Sequence, residues 1–366
     1  MARTLTPVPL LAQLALVAAL VIGRPARAAE PLPALGADES RLSVSGLSSG
    51  AYMAGQFQIA YSRLVIGAGL VAGGPYGCAS RHNWYYDWIA FTATLEKRNL
   101  GWALAHCTED GRFAADGTLM LGVPGADALA SQARTLAARG AIDDLSGIQA
   151  DRIYLFSSSA DETVRLSVMQ RAKAFYEALG VPPANIAFKQ DSKATHAFVT
   201  EDKGAACGKA DDAYVTDCDY NQAGAILDTL HGAQGNQAAS SDGKLLTFDQ
   251  RPFLAGESAG MADEGMVYVP QSCVTQAGCA VHVVFHGCEQ YKKPIHEKFI
   301  AESGFLPAAA AKGIVLLFPR AKAIEERNPK GCWDWWGYTG ANFLERDAPQ
   351  MAAVRGMIRR LAEARP

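Results

Sequence analysis

Five residues near the start of the chain, Gly46-Leu-Ser-Ser-Gly50, fit the pattern G-x-S-x-G, which presents a serine hydroxyl as a nucleophile on a sharp turn. The pattern alone is weak, because Gly and Ser are common. Its surroundings strengthen it. Arg41-Leu-Ser-Val-Ser45 reads as a strand running into Gly46. Ser49 to Tyr61 reads as a helix with Met53, Phe57 and Ala60 on one apolar face at i, i+4 and i+7. A side chain at Gly46 or Gly50 would collide with neighbouring backbone in such a turn. Ser48 is therefore the candidate nucleophile. The amide of Ser49, at the helix start, is placed to donate to a reacting oxygen. The plainer alternative is a Gly-Ser turn or an ordinary serine N-cap.

A serine hydroxyl needs a base, and the base needs an acid to orient it. Both are expected after the serine in chain order, each in a loop that follows a strand. Asp161 lies in Ser157-Ser-Ser-Ala-Asp161-Glu-Thr-Val164, directly after the apolar stretch Arg152 to Ser157. Its nearest rival is Glu162; Asp143 and Asp144 precede the strand. His196, in Ala194-Thr-His196-Ala-Phe198, follows the next strand, Asn185 to Lys189. Of the other six histidines, His82, His106 and His231 do not follow a strand in the right place. His282 lies inside a strand, His286 opens a different motif, and His296 follows Pro294 in a polar loop.

The tetrahedral intermediate of acyl transfer carries a negative oxygen that needs two donors. One is the Ser49 amide. The second is expected in Val283-Val-Phe-His286-Gly287-Cys288-Glu289-Gln290, an HG step after an apolar strand, with the Cys288 N–H as donor. The rival reading is a strand end at a disulfide.

The remaining elements follow from periodicity. Ile66 to Ala72 is a buried strand closed by Gly73-Gly74-Pro75. Asp127 to Arg139 and Val164 to Leu179 read as helices. Leu245 to Phe248, Gly265 to Val269, Val281 to Phe285 and Ile314 to Phe318 read as strands, Lys298 to Lys312 as a helix, and Ala341 to Arg365 as mostly helix. Strands alternating with helices argue for a parallel α/β sheet. The aromatic stretch 76–124, with Trp84, Tyr85, Tyr86, Trp88 and Trp102, is read either as a cap over a site or as surface helices packed on the sheet. Residues 232–243 are polar and Gly-rich, the best linker in the chain.

The order of the motifs is unusual. The HG loop ordinarily precedes the nucleophile; here it follows His196 by 90 residues. The expected fold class is a single α/β-hydrolase domain with a mostly parallel central sheet, circularly permuted. The first strands of the sheet would be moved to the end of the chain, with 232–243 as the joint and residue 40 close to the C-terminal helix.

Composition agrees with a large exported enzyme. The chain has 366 residues, 49% of them hydrophobic and 19% charged, which excludes global disorder. A net charge of −3 offers no attraction to nucleic acid. Residues 1–28 read as a signal peptide: Arg3, an apolar run from Leu10 to Gly23 broken only by Gln13, and the cleavage site Ala26-Arg27-Ala28. The mature domain is then 29–366, secreted or periplasmic, monomeric and free of membrane. Its eight cysteines imply disulfides, although 105 connectivities are possible. Short loops favour Cys207–Cys218 and Cys273–Cys279, which would leave Cys78–Cys107 and Cys288–Cys332. No C-x-x-C or His-x₃₋₅-His accompanies them, so no zinc is expected, nor any other metal or organic cofactor.

Taken together, Gly46 to Met53, Ser159 to Val164, Thr195 to Phe198, Phe285 to Gln290 and Asn328-Pro-Lys-Gly-Cys332-Trp333-Asp-Trp335 resemble the short-chain-length polyhydroxyalkanoate (poly-3-hydroxybutyrate) depolymerases with a type 2 catalytic domain. The resemblance implies a permuted α/β hydrolase with Ser48, Asp161 and His196 as triad and the Ser49 and Cys288 amides as oxyanion hole. It implies cleavage of polyester bonds through an acyl-serine, with Trp333 lining an apolar crevice; Trp335 and Trp336 are assigned to crevice or core. Many family members carry a separate polymer-binding domain. No such module is read in residues 29–366, so amorphous polymer or soluble oligomers in a periplasm are expected as substrates as much as crystalline polymer. The alternative function is a general carboxylesterase of the same fold, for example on feruloyl esters.

Overall fold

Strand and helix alternate along the chain in the computed structural model, which describes residues 29–82, 84–108, 122–191, 193–209, 211–233 and 242–366. Strand β1 (Asp38–Leu47) leads into α1 (Ser49–Ala60) and β2 (Val65–Val71). Helices α2 (Trp84–Ile89), α3 (Leu95–His106) and α4 (Ala126–Ala138) precede β3 (Arg152–Ser158). Then come α5 (Leu166–Ala178), β4 (Ile186–Asp191), the short strands β5 (Phe198–Thr200), β6 (Ala205–Ala206) and β7 (Val215–Asp217), and α6 (Gln222–His231). The last third holds β8 (Gly243–Asp249), β9 (Glu264–Pro270), α7 (Gln271–Thr275), β10 (Ala280–Phe285), α8 (Lys293–Glu302), α9 (Phe305–Lys312), β11 (Ile314–Phe318) and α10 (Pro349–Ala362).

Eight strands form one sheet in the order β4-β3-β2-β1-β10-β11-β9-β8. From β4 to β11 every pairing is parallel; only β9 against β11 and β8 against β9 are antiparallel. Strands buried on both faces must be apolar at nearly every position, which is why Ala280-Val-His-Val-Val-Phe285 reads as a continuous run. Alternate residues serve opposite faces. Val281, Val283 and Phe285 join α1, α4, α5 and α10 in one core, while Ala280 and Val284 face α6, α8 and α9 in the other.

The parallel register has a direct consequence for chemistry. β1, β3 and β10 all end at the same edge of the sheet, so the loops carrying Ser48, Asp161 and His286 to Cys288 emerge together. That edge is where ligands bind in open parallel sheets. Strand β10, late in the chain, pairs with β1, the first. The start of the described chain also lies against its end: Leu35 N–H donates to Leu361 O at 3.0 Å, and Arg355 pairs with Glu39 at 2.7 Å. The four disulfides are Cys207–Cys218 and Cys273–Cys279, the two pairs favoured by short loops, and Cys78–Cys107 and Cys288–Cys332, the pairs then remaining. The signal segment 1–28, the linker residues 234–241 and residues 109–121 lie outside the described residues. Among the described residues no helix is long and apolar enough to cross a membrane.

Several elements differ from the sequence reading. Helix α1 is buried along its whole length rather than on one face. The loop 332–338 covers its outer side, where Trp335 stacks on Tyr52 with ring centroids 4.1 Å apart and Gln56 donates to Asp334 O. The expected helix 298–312 is two, α8 and α9, broken at Gly304 with φ +81°. His296 is not in a polar loop: α8 begins at Lys293 and buries it. Only 349–362 of the C-terminal stretch is helical. The small sheet β5-β7-β6 went unread because two- and three-residue strands have no periodicity to detect.

One buried carboxyl gives the fold a pH signature. Asp151 precedes β3 and accepts from Gln58 Nε2 at 2.8 Å, and Gln58 Oε1 in turn accepts from Tyr176 OH at 2.7 Å. Burial pushes the Asp151 carboxyl up to about 7. The folded state therefore keeps a proton that the unfolded chain releases above its ordinary value near 4, and stability falls as pH rises from about 4 to 7. Asp151→Asn mimics the protonated form. Thermal melts should place its Tm a few degrees above the parent at pH 8, with the gap closing by about pH 4; a constant gap across pH would contradict this.

Candidate active site

Ser48 caps β1 and begins the turn into α1 with φ +57° and ψ −121°, a conformation that L-residues rarely adopt. Its amide donates to Val71 O at 2.9 Å, and its carbonyl accepts from the Ala51 amide at 2.9 Å. Crowding explains the flanking glycines. A Cβ on Gly46 would collide with the Gly50 carbonyl and stand 2.8 Å from Phe285 O; one on Gly50 would collide with Phe285 O and stand 2.5 Å from His286 O. The turn is thus packed directly on the end of β10, which brings the HG loop to the serine. A Cβ on Gly287 would sit 3.5 Å from the Ser48 Cβ.

Asp161, 1% exposed in its side chain, accepts from His196 Nδ1 at 2.8 Å through Oδ2. Its other oxygen, Oδ1, accepts the amides of Thr163 at 2.8 Å and Val164 at 2.9 Å. The carboxylate is therefore fixed in orientation, and it holds the imidazole with Nδ1 engaged and Nε2 as the remaining nitrogen. Glu162, the rival acid, is exposed. His196 and Ser48 line one cavity of about 550 Å³, together with Ser49, Gly287 and Cys288. Leu100 and Leu104 of α3 line it from the stretch 76–124, beside Val164, Trp335 and Trp336.

Three successive amides in the HG loop have separate fates. The Gly287 N–H donates to Gln290 Oε1, and the Glu289 N–H to Lys330 O at 2.7 Å. Among the described residues nothing accepts from the Cys288 N–H between them, or from the Ser49 N–H. The Gly287–Cys288 peptide is held from its carbonyl side. His286 Nε2 accepts from the Ala321 amide at 3.0 Å, so Nδ1 carries the proton and donates to Gly287 O at 2.7 Å. Burial pushes His286 down to about 4, which keeps it neutral in this role. Gln290 Nε2 donates to Ala213 O, and the Cys288–Cys332 disulfide ties the loop to 332–338. Ser48, Tyr214 and Glu289, three of the five non-glycine residues at positive φ among the described residues, line the cavity, and Tyr214 OH donates to the Glu289 carboxylate. Such conformations cost about 1–3 kcal/mol each and persist where the surroundings enforce them.

Gln290→Ala should release the Gly287 amide and loosen the adjacent donor. The expected result is a kcat about tenfold or more lower with KM little changed, since a full oxyanion donor is worth roughly 10²–10³. Gln290→Glu keeps the acceptor and should recover part of the rate. Steady-state kinetics would check this, and equal losses in kcat and 1/KM would contradict it.

Trp333 does not line the cavity, contrary to the crevice role expected for it. It is fully buried, edge-on to Phe285 with centroids 5.0 Å apart, and its amide points to Ser49 Oγ at 3.4 Å. Trp335 and Trp336 take the wall positions instead. The backbone reverses between them and the core through Asp334, whose carboxylate accepts the amides of Gly337, Tyr338 and Thr339. Of the other histidines, His282 is buried between Ser43 Oγ at 2.6 Å and Ser45 Oγ at 2.8 Å, a structural role. Sequence reasoning missed Leu100, Leu104, Tyr214 and Arg327 as cavity residues. The first two carried only a helical spacing of i, i+4, which core packing also produces.

No family model matches the chain. In sequence it is similar to a poly(3-hydroxybutyrate) depolymerase of Delftia acidovorans, 36% identical over 342 residues that make up 92% of this chain and 62% of the relative. The chain thus spans less than two thirds of that relative's length. It is also similar to a polyhydroxybutyrate depolymerase of Talaromyces funiculosus, 31% identical over 358 residues, 93% of this chain and 95% of the relative. Among solved structures it is similar to a PHB depolymerase from Penicillium funiculosum and to a serine-to-alanine variant of a PHB depolymerase complexed with an R3HB trimer. Each has a TM-score of 0.74 and 30% identity, and covers 91% of this chain and 98% of the other.

Proposed function

The chain belongs to the polyhydroxybutyrate depolymerase family, and from that premise we propose that it is an exported serine esterase that hydrolyses poly-3-hydroxybutyrate or its oligomers. The observation that carries this reading is the Asp161–His196 hydrogen bond at a cavity that also holds Ser48 and two unengaged amides. His196 Nε2 takes the Ser48 proton as Oγ attacks the ester carbonyl. The resulting oxyanion accepts from the Ser49 and Cys288 amides, and His196 returns the proton to the leaving alkoxide. Water, activated by the same imidazole, then cleaves the acyl-serine. No step calls for a metal.

Substrate class follows from the walls. Leu47, Leu100, Leu104, Val164, Trp335 and Trp336 suit an uncharged aliphatic polyester segment. Four disulfides suit an oxidising compartment outside the cytosol. The strand order suits a circularly permuted hydrolase, since β8 to β11 extend the sheet from β1 toward the side opposite β2. Hydrolysis of amorphous and crystalline polyhydroxybutyrate, with product lengths analysed, tests the reading against p-nitrophenyl and feruloyl esters. Preference for hydroxybutyrate esters is expected; a clear preference for aromatic esters would contradict it.

A further inference from the structure

Two cations line the cavity that the ester chemistry does not require, Lys330 and Arg327, and among the described residues Arg327 has no carboxylate partner. His196 is paired with Asp161, and the Glu289 carboxylate is shared between Tyr214 OH and Lys330 Nζ, the latter at 3.4 Å. Arg327 also lines the cavity but makes no ion pair among the described residues. Its one hydrogen bond there is from Nη1 to Tyr338 O at 3.0 Å. Glu325 and Glu326, its sequence neighbours, make no ion pair with it. The short bridge between Ile324 and Asn328 holds Arg327 in a tight hairpin, with both backbone hydrogen bonds formed, at 3.0 and 2.8 Å. Among the residues that line the cavity, Arg327 and Lys330 exceed Glu289 by one positive charge, on walls that are otherwise largely apolar; the Asp161 carboxylate lies buried behind His196.

A polyester interior is neutral and gains nothing from that charge. Its only anion is the terminal carboxylate. We propose that Arg327 binds the free carboxylate end of a hydroxyalkanoate oligomer, so that the enzyme favours short acid-terminated chains. This rests on the polyester esterase reading of the site. The guanidinium offers a planar fork of donors of which one is used, a geometry matched to a carboxylate. In a hydroxyalkanoate the carboxylate end lies on the alcohol side of every ester bond. Arg327 therefore marks the side of the cavity that takes the leaving segment. Only chains short enough to reach from Ser48 to Arg327 gain from it, and long polymer does not.

The test compares the 3-hydroxybutyrate trimer as free acid with its methyl ester, in the parent, Arg327→Gln and Arg327→Lys, with Tm recorded for each. The parent is expected to prefer the acid in kcat/KM. Arg327→Gln should reduce the acid-to-ester ratio about fivefold, a modest factor because the site is open to water. Arg327→Lys should restore part of it, and added salt should shrink it in the parent. A ratio near one in the parent, or a ratio unmoved by Arg327→Gln, overturns the inference while leaving the esterase reading intact. Turnover of neither trimer overturns both.

Discussion

Ser48→Ala is expected to lower kcat/KM on hydroxybutyrate oligomers by roughly 10⁴–10⁶-fold while the protein still folds. The loss is large because no other hydroxyl can replace this one. Ser49 Oγ, the nearest in sequence, is turned to the Trp333 amide. The turn itself does not depend on the hydroxyl, since the Ser48 side chain makes no capping hydrogen bond. A second substitution separates chemistry from strain. Ser48→Gly also abolishes turnover, but glycine adopts φ +57° without penalty. It relieves on the order of 1–3 kcal/mol of strain, part of which the greater freedom of an unfolded glycine offsets. Calorimetry should therefore show Ser48→Gly melting at or above the parent and above Ser48→Ala. A lower Tm for the glycine variant would show that the turn is not strained at this residue.

Asp161→Asn is expected to cost roughly 10⁴-fold in kcat, and the surrounding hydrogen bonds explain why. Oδ1 accepts two amides, from Thr163 and Val164, so the Asn carbonyl must take that position. Its NH₂ group then faces His196 Nδ1 and donates where the carboxylate accepted. The imidazole is driven to the other tautomer, with its proton on Nε2, and cannot take one from Ser48. A milder loss is expected for Asp161→Glu, which retains an acceptor in a displaced position. Measurement of kcat for both variants checks this. Near-parent activity in Asp161→Asn would show that the orientation of His196 does not depend on this carboxylate.

The legibility of the site in the sequence had a simple physical basis. Ser48, Asp161 and Cys288 each follow a buried strand, the most distinct signal in such a chain, and His196 follows the half-exposed edge strand β4. Four strand ends on one sheet edge converge without further information. What the sequence left unread depended on side-chain direction or on very short elements. Trp333 and Trp335 are two residues apart in one loop, yet one is core and the other wall, because the Asp334 carboxylate gathers the amides after it and turns the chain. No composition or spacing encodes that choice. The one-faced reading of α1 failed because the second layer over it, the 332–338 loop, lies nearly 300 residues away in sequence. Arg327 and Tyr214 gave no signal, since their value to the cavity comes from tertiary placement alone.

The central claim is that Ser48 is activated by His196 and Asp161 in one relay. The most direct measurement is active-site labelling with an organophosphonate, followed by peptide mass spectrometry. One adduct per chain on Ser48 is expected, slowed by the hydroxybutyrate trimer and strongly slowed in Asp161→Asn. Labelling at another residue, or equal labelling rates with and without the Asp161 carboxylate, would contradict the claim.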